Sequence, residues 1–230
     1  MGGKNIKTSI YLSKINVALS KEQINFLLGF ISKENREKCR NSRFKKDKLR
    51  TLYGELMVRY ILCKKLLLEN KDIELLKSET GKPYVKNCSI HFNISHSGDF
   101  VVCVFSDQEI GIDIEQMKEV NLKVAKRFFC QCEYQDLLDK KGSDQNCYFY
   151  SLWTLKESYI KWLGTGLLTS LNTFCFSERD CDLCFADKKM EIKPFFKTFY
   201  IENCKLSVCS MNYIFPNNVK RICIEKIFLI

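Results

Sequence analysis

Three carboxylates in the second half of the chain could hold a divalent metal ion. Asp113 and Glu115 stand two residues apart in a predicted strand, where the period of two directs both side chains to one face. Two carboxylates on one face repel each other unless a cation lies between them, and Mg²⁺ or Mn²⁺ prefers such oxygen ligands. Gly111 leaves room for the close approach of another backbone or of a ligand. A solvated face of an edge strand is the alternative explanation for the pair.

The segment WTLKESYIK at residues 153–161 could complete such a site. In a helix, Trp153, Glu157 and Lys161 are spaced i, i+4, i+8 and share one face, with Lys156 one position round from Glu157. Glu157 would then be a third metal ligand, and Lys161 would hold a phosphate oxygen beside it. The alternative is an ordinary ion pair between Glu157 and Lys161 within the helix.

Groups that bind anions occur at two other places. Residues 92–98 read FNISHSG, so a strand end there offers the hydroxyl of Ser95, the imidazole of His96 and backbone donors together. Residues 33–50 contain nine basic and three acidic side chains. Such a cluster attracts nucleic acid or a small phosphorylated ligand, and a solvated helix face is the alternative. A serine hydrolase is disfavoured because the chain has no G-x-S-x-G motif.

Hydrophobic periodicity predicts the elements that must position these residues. We expect a long amphipathic helix over residues 44–68, whose first turns carry the basic cluster, and an antiparallel meander of three strands. These strands are predicted at residues 90–94, 100–105 and 110–114. Further helices are predicted at 22–31, 122–129, 133–139 and 148–163, and further strands at 8–12, 173–176, 198–201, 205–209 and 221–225. Because strands follow helices in both halves, the pattern predicts two α+β subdomains of similar size.

The composition is that of a folded globular protein. The 230 residues are 46% hydrophobic, with 3 Pro and 10 Gly, and carry a net charge of +10. No apolar run is long enough to span a membrane and no signal core is present, so we expect a cytoplasmic protein. The 13 cysteines are predicted to be reduced and mostly buried. Zinc binding by Cys130 with Cys132, or by Cys181 with Cys184, is the alternative, but neither pair supplies four ligands.

These motifs occur together in an order that resembles the 4′-phosphopantetheinyl transferases of the type that activates surfactin synthetase. The resemblance covers residues 8–172. The matching segments are FISKENREKC at 30–39, GKP at 81–83, HFNISHSG at 91–98, IGIDIE at 110–115, AKRFF at 125–129 and WTLKESYIK at 153–161.

The resemblance implies a fold and an activity. The fold would be α+β, a monomer of two similar subdomains related by a pseudo-twofold, at residues 1–109 and 110–230, with coenzyme A in the cleft between them. About the last 20 residues of the chain would pack back on the N-terminal half. The activity would be transfer of the 4′-phosphopantetheine arm of coenzyme A to a serine of an acyl- or peptidyl-carrier protein, releasing adenosine 3′,5′-bisphosphate. Neither nucleic acid nor a membrane is an expected partner.

The resemblance also implies roles for single residues. Asp113, Glu115 and Glu157 would hold Mg²⁺ against the coenzyme A pyrophosphate, and Lys161 would bind that pyrophosphate with Lys156 nearby. The nucleotide contacts of the first subdomain would be Lys38, Thr51, Lys82, Ser95 and His96 on phosphate groups, including the 3′-phosphate, and Lys82 with Pro83 beside the adenine. Glu157 is the first candidate for the general base and Glu115 the second.

The chain departs from the family pattern at Asn35. Close relatives carry there a basic residue that reaches the 3′-phosphate of coenzyme A, so one phosphate contact would be lost unless Arg36 or Lys33 substitutes. In the family, the carrier protein docks beside the segment that follows the metal strand, here residues 117–130.

Two other classes of function remain open at this stage. A metal-dependent nuclease would use the same carboxylates and lysine beside a phosphodiester, but it leaves the GKP and SHSG motifs unexplained. A nucleic-acid-binding module would follow from the charge of +10, but it gives no reason for three carboxylates that would repel a phosphate backbone.

Overall fold

The structure is a computed structural model that describes residues 7–179, 182–187 and 191–229. The chain divides into two units, Met1–Glu109 with Ile214–Ile230 (unit 1) and Ile110–Tyr213 (unit 2). The helices are α1 Lys21–Leu28, α2 Lys33–Asn41, α3 Lys45–Leu66, α4 Leu122–Phe128, α5 Gln131–Leu138, α6 Gly142–Leu163 and α7 Ile224–Phe228. The strands are β1 Ser9–Lys14, β2 Leu75–Lys77, β3 Pro83–Val85, β4 His91–Ser97, β5 Phe100–Ser106, β6 Ile110–Gln116, β7 Phe174–Arg179, β8 Asp182–Asp187, β9 Phe195–Ile201, β10 Cys204–Ser210 and β11 Lys220–Arg221.

Unit 1 is built from a four-stranded sheet and the long helix α3. The strand order is β11-β1-β5-β4, with β1 and β4 antiparallel to β5 and β11 parallel to β1. The apolar face of α3 contributes Leu49, Leu52 and Leu56, which are all fully buried in the core of this unit. Burial of one such leucine stabilises a fold by about 1.5–3 kcal/mol. The spacing of the apolar residues in this helix therefore corresponds to the face that it buries against the core.

Unit 2 combines the helix α6 with a three-stranded antiparallel sheet in the order β6-β10-β9. Its core is aromatic. The fully buried Tyr159 of α6 meets Phe174 with a distance of 4.6 Å between ring centroids, and Phe176 and Phe185 belong to the same cluster. Edge-to-face contacts of this kind add about 0.5–1.5 kcal/mol each to the stabilisation from buried area.

The α+β class is confirmed, but several predicted elements are wrong. The third strand of the predicted meander, β6, does not pair with β5: its partner is β10, which follows in the chain after more than 80 residues. Local patterns carry no information on such distant pairing.

The basic cluster does not lie on α3 alone, because α2 is a separate helix in which Cys39 is the only buried residue. One buried residue gives no periodicity, although Ser32 caps this helix and could have marked its start. Of the strand predicted at 221–225, Arg221 belongs to the strand β11, whereas Ile224 and Glu225 begin the helix α7.

One pair of cysteines also corrects the prediction. Cys130 and Cys175 form a disulfide that joins the start of α5 to β7, whereas all cysteines were expected to be reduced. Among the described residues, ten other cysteines are free thiols, and only four of these are buried, fewer than expected. Of the two pairs considered for zinc, Cys130 is in the disulfide and Cys181 lies outside the described residues.

None of the helices in the described part of the chain has the length and hydropathy that crossing a bilayer requires.

Gly111 is the point of closest approach between β6 and α6. A β-carbon at this position would lie 2.0 Å from the carbonyl oxygen of Ser158 and 2.4 Å from the amide nitrogen of Trp162. Both are backbone atoms of the helix, which cannot move aside alone. Of the two expected uses of this glycine, close approach of another backbone is the one that the structure shows.

We therefore expect Gly111→Ala to destabilise the protein by about 1–3 kcal/mol or more, because the added methyl group forces the helix away from the sheet. Urea unfolding followed by circular dichroism measures the effect. Gly54→Ala is the matched control. Its β-carbon would meet Ile94 at an ordinary contact distance of 3.4 Å, and alanine in a helix interior is favoured over glycine by about 1 kcal/mol. Equal stability of the two variants would contradict the prediction.

Candidate active site

Helix α6 places Glu157 and Lys161 beside the carboxylate of Asp113 on β6. Lys161 Nζ lies 2.6 Å from Asp113 Oδ1, and Asp113 is 3% exposed. Burial raises the pKa of Glu157, the negative charge of Asp113 raises it further, and Lys161 opposes the shift. These three side chains therefore act on one another electrostatically. The spacing of the motif predicts that Glu157 and Lys161 are neighbours on α6, and Asp113 joins them from β6.

Glu115 points to the same face of β6 as Asp113 by the strand period. It borders a cavity of about 230 Å³ within unit 2. The other residues that line this cavity come from the segment after β6 and from α6, and they are Glu119, Asn121, Val124, Phe149, Tyr150 and Trp153. The structure thus brings Glu115 close to the helix that carries Glu157.

The donor set of Asp113, Glu115 and Glu157 fits Mg²⁺ in its chemistry. All three offer carboxylate oxygens, and the pKa of Glu157 responds to Asp113, a repulsion that a divalent cation relieves. The carboxylate oxygens of these three residues do not all lie within 4.8 Å of one another. Over the described ranges, the set that does so is Cys130, Glu133 and Cys175, and its two sulfur atoms are joined in the disulfide.

The prediction that Lys156 contacts coenzyme A is wrong, because its side chain is not accessible to a ligand. Its side chain is fully buried, as is that of Glu133, and their charged atoms are 2.8 Å apart. Lys156 Nζ also donates hydrogen bonds to the carbonyl oxygens of Leu171 (2.9 Å) and Phe174 (2.7 Å). A phosphate group of coenzyme A cannot reach this ammonium. The residue holds α6 to the segments around it instead.

In unit 1, four of the predicted nucleotide contacts line one cavity of about 170 Å³. They are Lys38 of α2, Thr51 of α3, Pro83 of β3 and His96 of β4. Leu75, Leu76 and Phe92 give the same cavity an apolar wall. Cationic side chains beside an apolar wall suit a ligand that has both phosphate groups and a flat base.

Two predicted contacts lie elsewhere. Ser95 is buried, and the strand period turns it to the face of β4 opposite to His96, so its hydroxyl does not line this cavity. Lys82 does not line it either. Its ammonium lies 2.5 Å from Glu109 Oε2. The motifs SHSG and GKP thus each contribute one of their two expected side chains to the cavity.

The buried carboxylate of Glu55 also lines this cavity and binds several of its neighbours, and the sequence analysis did not predict it. Glu55 accepts hydrogen bonds from the backbone nitrogen of Ser32 (2.7 Å), from Ser32 Oγ (2.8 Å) and from Asn35 Nδ2 (2.6 Å). Its charge is balanced by Arg59, whose Nε lies 2.7 Å away. Glu55 stands four residues after Thr51, on the same helix face, and this spacing is the signal that could have revealed it.

Arg50 and Lys77 also line the cavity without having been predicted as site residues. Arg50 belongs to the basic cluster, but its guanidinium donates to the carbonyl oxygen of Gly98 and to Asp47. Lys77 is the last residue of the short strand β2, and no sequence motif includes it.

Comparison with known proteins points to one family over most of the chain. A family model described as "4'-phosphopantetheinyl transferase, N-terminal" matches residues 18–108, and one described as "4'-phosphopantetheinyl transferase superfamily" matches residues 109–209. The two models thus follow each other along the chain, and together they contain all the predicted site residues.

Relatives of high coverage carry the same name. 4′-Phosphopantetheinyl transferase Sfp of Bacillus subtilis (strain 168) is 38% identical over 221 residues, which are 95% of this chain and 99% of Sfp. 4′-Phosphopantetheinyl transferase ffp of Bacillus subtilis is 39% identical over 219 residues, 94% of this chain and 98% of ffp. The transferase gsp of Aneurinibacillus migulanus is 37% identical over 199 residues, 86% of this chain and 84% of gsp.

Among solved structures, the holo-[acyl-carrier-protein] synthase of Thermotoga maritima covers 44% of this chain and 61% of its own, with 22% identity and a TM-score of 0.38. The full-length relatives decide the assignment. On their identity and coverage, the chain belongs to the 4′-phosphopantetheinyl transferase family.

Proposed function

We propose that this protein transfers the 4′-phosphopantetheine arm of coenzyme A to a serine of an acyl- or peptidyl-carrier protein and releases adenosine 3′,5′-bisphosphate. The observation that carries this proposal is the cluster of Asp113, Glu157 and Lys161, which suits transfer of a phosphoryl group. The cavity that contains Lys38, Thr51, Pro83 and His96 supports it, because a nucleotide with phosphate groups fits such a lining.

Glu157 is the general base in this proposal. A serine hydroxyl is a weak nucleophile at neutral pH, so a positioned base must accept its proton as the oxygen attacks phosphorus. Burial and the neighbouring Asp113 raise the pKa of Glu157, which strengthens it as a proton acceptor while it is ionised. Glu115 is the second candidate for this role.

Lys161 supports the departure of the leaving group. The bond that breaks joins the attacked phosphorus to the bridging oxygen of the pyrophosphate, and negative charge grows on that oxygen. An ammonium beside it stabilises this charge. Asp113, only 2.6 Å from Lys161 Nζ, orients the lysine.

Asp113, Glu115 and Glu157 are the residues that would hold Mg²⁺, or Mn²⁺ in its place. When bound, the ion supplies positive charge that stabilises the pyrophosphate and the transferring phosphoryl group. The site residues of this chain then contribute position and electrostatics, which account for most of the rate enhancement in phosphoryl transfer.

The proposal includes a setting and a partner. The enzyme would act as a monomer in the cytoplasm. Ten free thiols among the described residues favour this compartment, and the disulfide of Cys130 with Cys175 departs from that pattern. The carrier protein would dock beside residues 117–130, and neither nucleic acid nor a membrane would be needed.

Intact mass of a carrier protein tests the proposal. An unmodified carrier domain incubated with this protein, coenzyme A and Mg²⁺ should gain the mass of one phosphopantetheine arm, and a chelator added at the start should prevent the gain. The control reaction omits coenzyme A. If acyl- and peptidyl-carrier domains stay unmodified while added DNA or RNA is cleaved in the presence of the metal, the protein is a nuclease and the proposal is wrong.

A further inference from the structure

The nucleotide cavity of unit 1 contains a lysine that no motif assigns to it. Lys77 lines this cavity together with Lys38, Thr51 and His96. Its side chain is 47% exposed and is paired with the carboxylate of Glu34, which is 67% exposed. Lys77 therefore stands at the solvent side of the cavity, where an incoming anion meets it.

Two of the other charged groups in the cavity are already committed within the protein. Glu55 is paired with Arg59 and accepts three further hydrogen bonds. Arg50 uses Nε and Nη2 on the carbonyl oxygen of Gly98, at 3.0 and 2.6 Å, and Nη1 on Asp47 at 2.8 Å. The partner of Lys77, by contrast, is a single exposed carboxylate, and an exposed ion pair contributes little to stability.

The basic residues that were expected to compensate for Asn35 do not line the cavity. Arg36 donates to the carbonyl oxygen of Ile31 (3.2 Å), and Lys33 is exposed at the start of α2. Asn35 itself lines the cavity, but its amide donates to Glu55. Besides Lys38 of α2, a second lysine faces the cavity, and it is Lys77 at the end of β2.

We infer that Lys77 binds the 3′-phosphate of coenzyme A. This inference rests on the proposed function. A phosphate monoester carries between one and two negative charges at neutral pH and three acceptor oxygens, so it competes successfully with the single charge of Glu34 for the lysine ammonium. The 3′-phosphate is the monoester of coenzyme A, whereas the pyrophosphate is assigned to the carboxylate and lysine cluster of unit 2.

Glu34 has an opposing role in the same inference. The carboxylate of Glu34 is paired with the ammonium of Lys77 in the absence of nucleotide, so the 3′-phosphate must displace Glu34 in order to bind Lys77. Removal of the Glu34 charge should therefore strengthen binding, whereas removal of the Lys77 charge should weaken it. Two substitutions with effects of opposite sign distinguish a phosphate contact from general damage to the cavity.

Calorimetric titration with coenzyme A and with 3′-dephospho-coenzyme A tests the inference. Lys77→Gln should raise the Kd for coenzyme A by about 5–20-fold and leave the Kd for the dephospho form nearly unchanged. Glu34→Gln should lower the Kd for coenzyme A by about 2–5-fold. Lys33→Gln, which removes an exposed lysine outside the cavity, is the matched control and should bind both ligands as the wild type does.

Two other results of the titrations would contradict the inference. A loss in Lys77→Gln that is equal for the two ligands, or no loss at all, would overturn the assignment of Lys77 to the 3′-phosphate while the wild type still binds coenzyme A. A wild-type protein that binds neither ligand would overturn the proposed function and this inference together.

Discussion

Replacement of Glu157 by glutamine is expected to lower kcat for carrier modification by about 10²–10⁴-fold while coenzyme A still binds. Glutamine keeps the size of the side chain but can neither accept the serine proton nor contribute a negative charge to the metal site. The cavity with Lys38, Thr51 and His96 belongs to unit 1 and is not altered by this change. Initial rates of mass gain on the carrier protein give kcat, and calorimetry gives the Kd of coenzyme A.

Asp144→Asn is the matched control for Glu157→Gln. It removes the same charge from the same helix, but Asp144 is exposed in the first turn of α6, away from the cluster. We expect wild-type kcat in this control. A Glu157→Gln protein that keeps full activity would show that Glu157 is neither the base nor an essential ligand, and Glu115 would become the leading candidate.

The sequence predicts best those parts of the fold in which burial repeats with a fixed period. Helix α3 begins and ends within two residues of its prediction, because one face of it is continuously buried. Helix α6 begins at Gly142, six residues before the prediction, because its first turns are largely exposed and have no apolar pattern. Strand β8 was missed, and the pairing of β6 with β10 depends on residues far apart in the chain.

The same limit applies to the site. A spacing of four residues on one helix predicts that Glu157 and Lys161 are neighbours, and Asp113 joins them because α6 packs on β6. Spacing does not tell which of two adjacent residues faces the ligand. Ser95 and His96 lie on opposite faces of β4, so they differ in access although both belong to one motif. The burial of Lys156 depends on Glu133, a residue that the sequence analysis did not single out.

Replacement of Lys156 by methionine is the prediction that separates its structural role from the expected role in binding. We expect the free energy of unfolding to fall by about 3–5 kcal/mol, because Glu133 would keep a fully buried charge without its ion-pair partner. Both tryptophans lie on α6 in unit 2, so urea unfolding followed by tryptophan fluorescence reports on the unit that contains the pair.

The double variant Glu133→Gln with Lys156→Met decides between the explanations even if the single variant folds poorly. It buries no unpaired charge. In the wild type, Glu133 accepts hydrogen bonds from the backbone nitrogens of Cys130 (2.8 Å) and Phe176 (2.7 Å), and glutamine still offers an oxygen to one of these two nitrogens. Its stability should therefore exceed that of Lys156→Met, and the Kd for coenzyme A should match that of the wild type. Lys141→Met changes an exposed lysine of the same unit and should alter neither quantity. If Lys156→Met instead unfolds as the wild type does and loses affinity for coenzyme A, the lysine reaches the nucleotide in solution, and its buried pair with Glu133 must open to allow this.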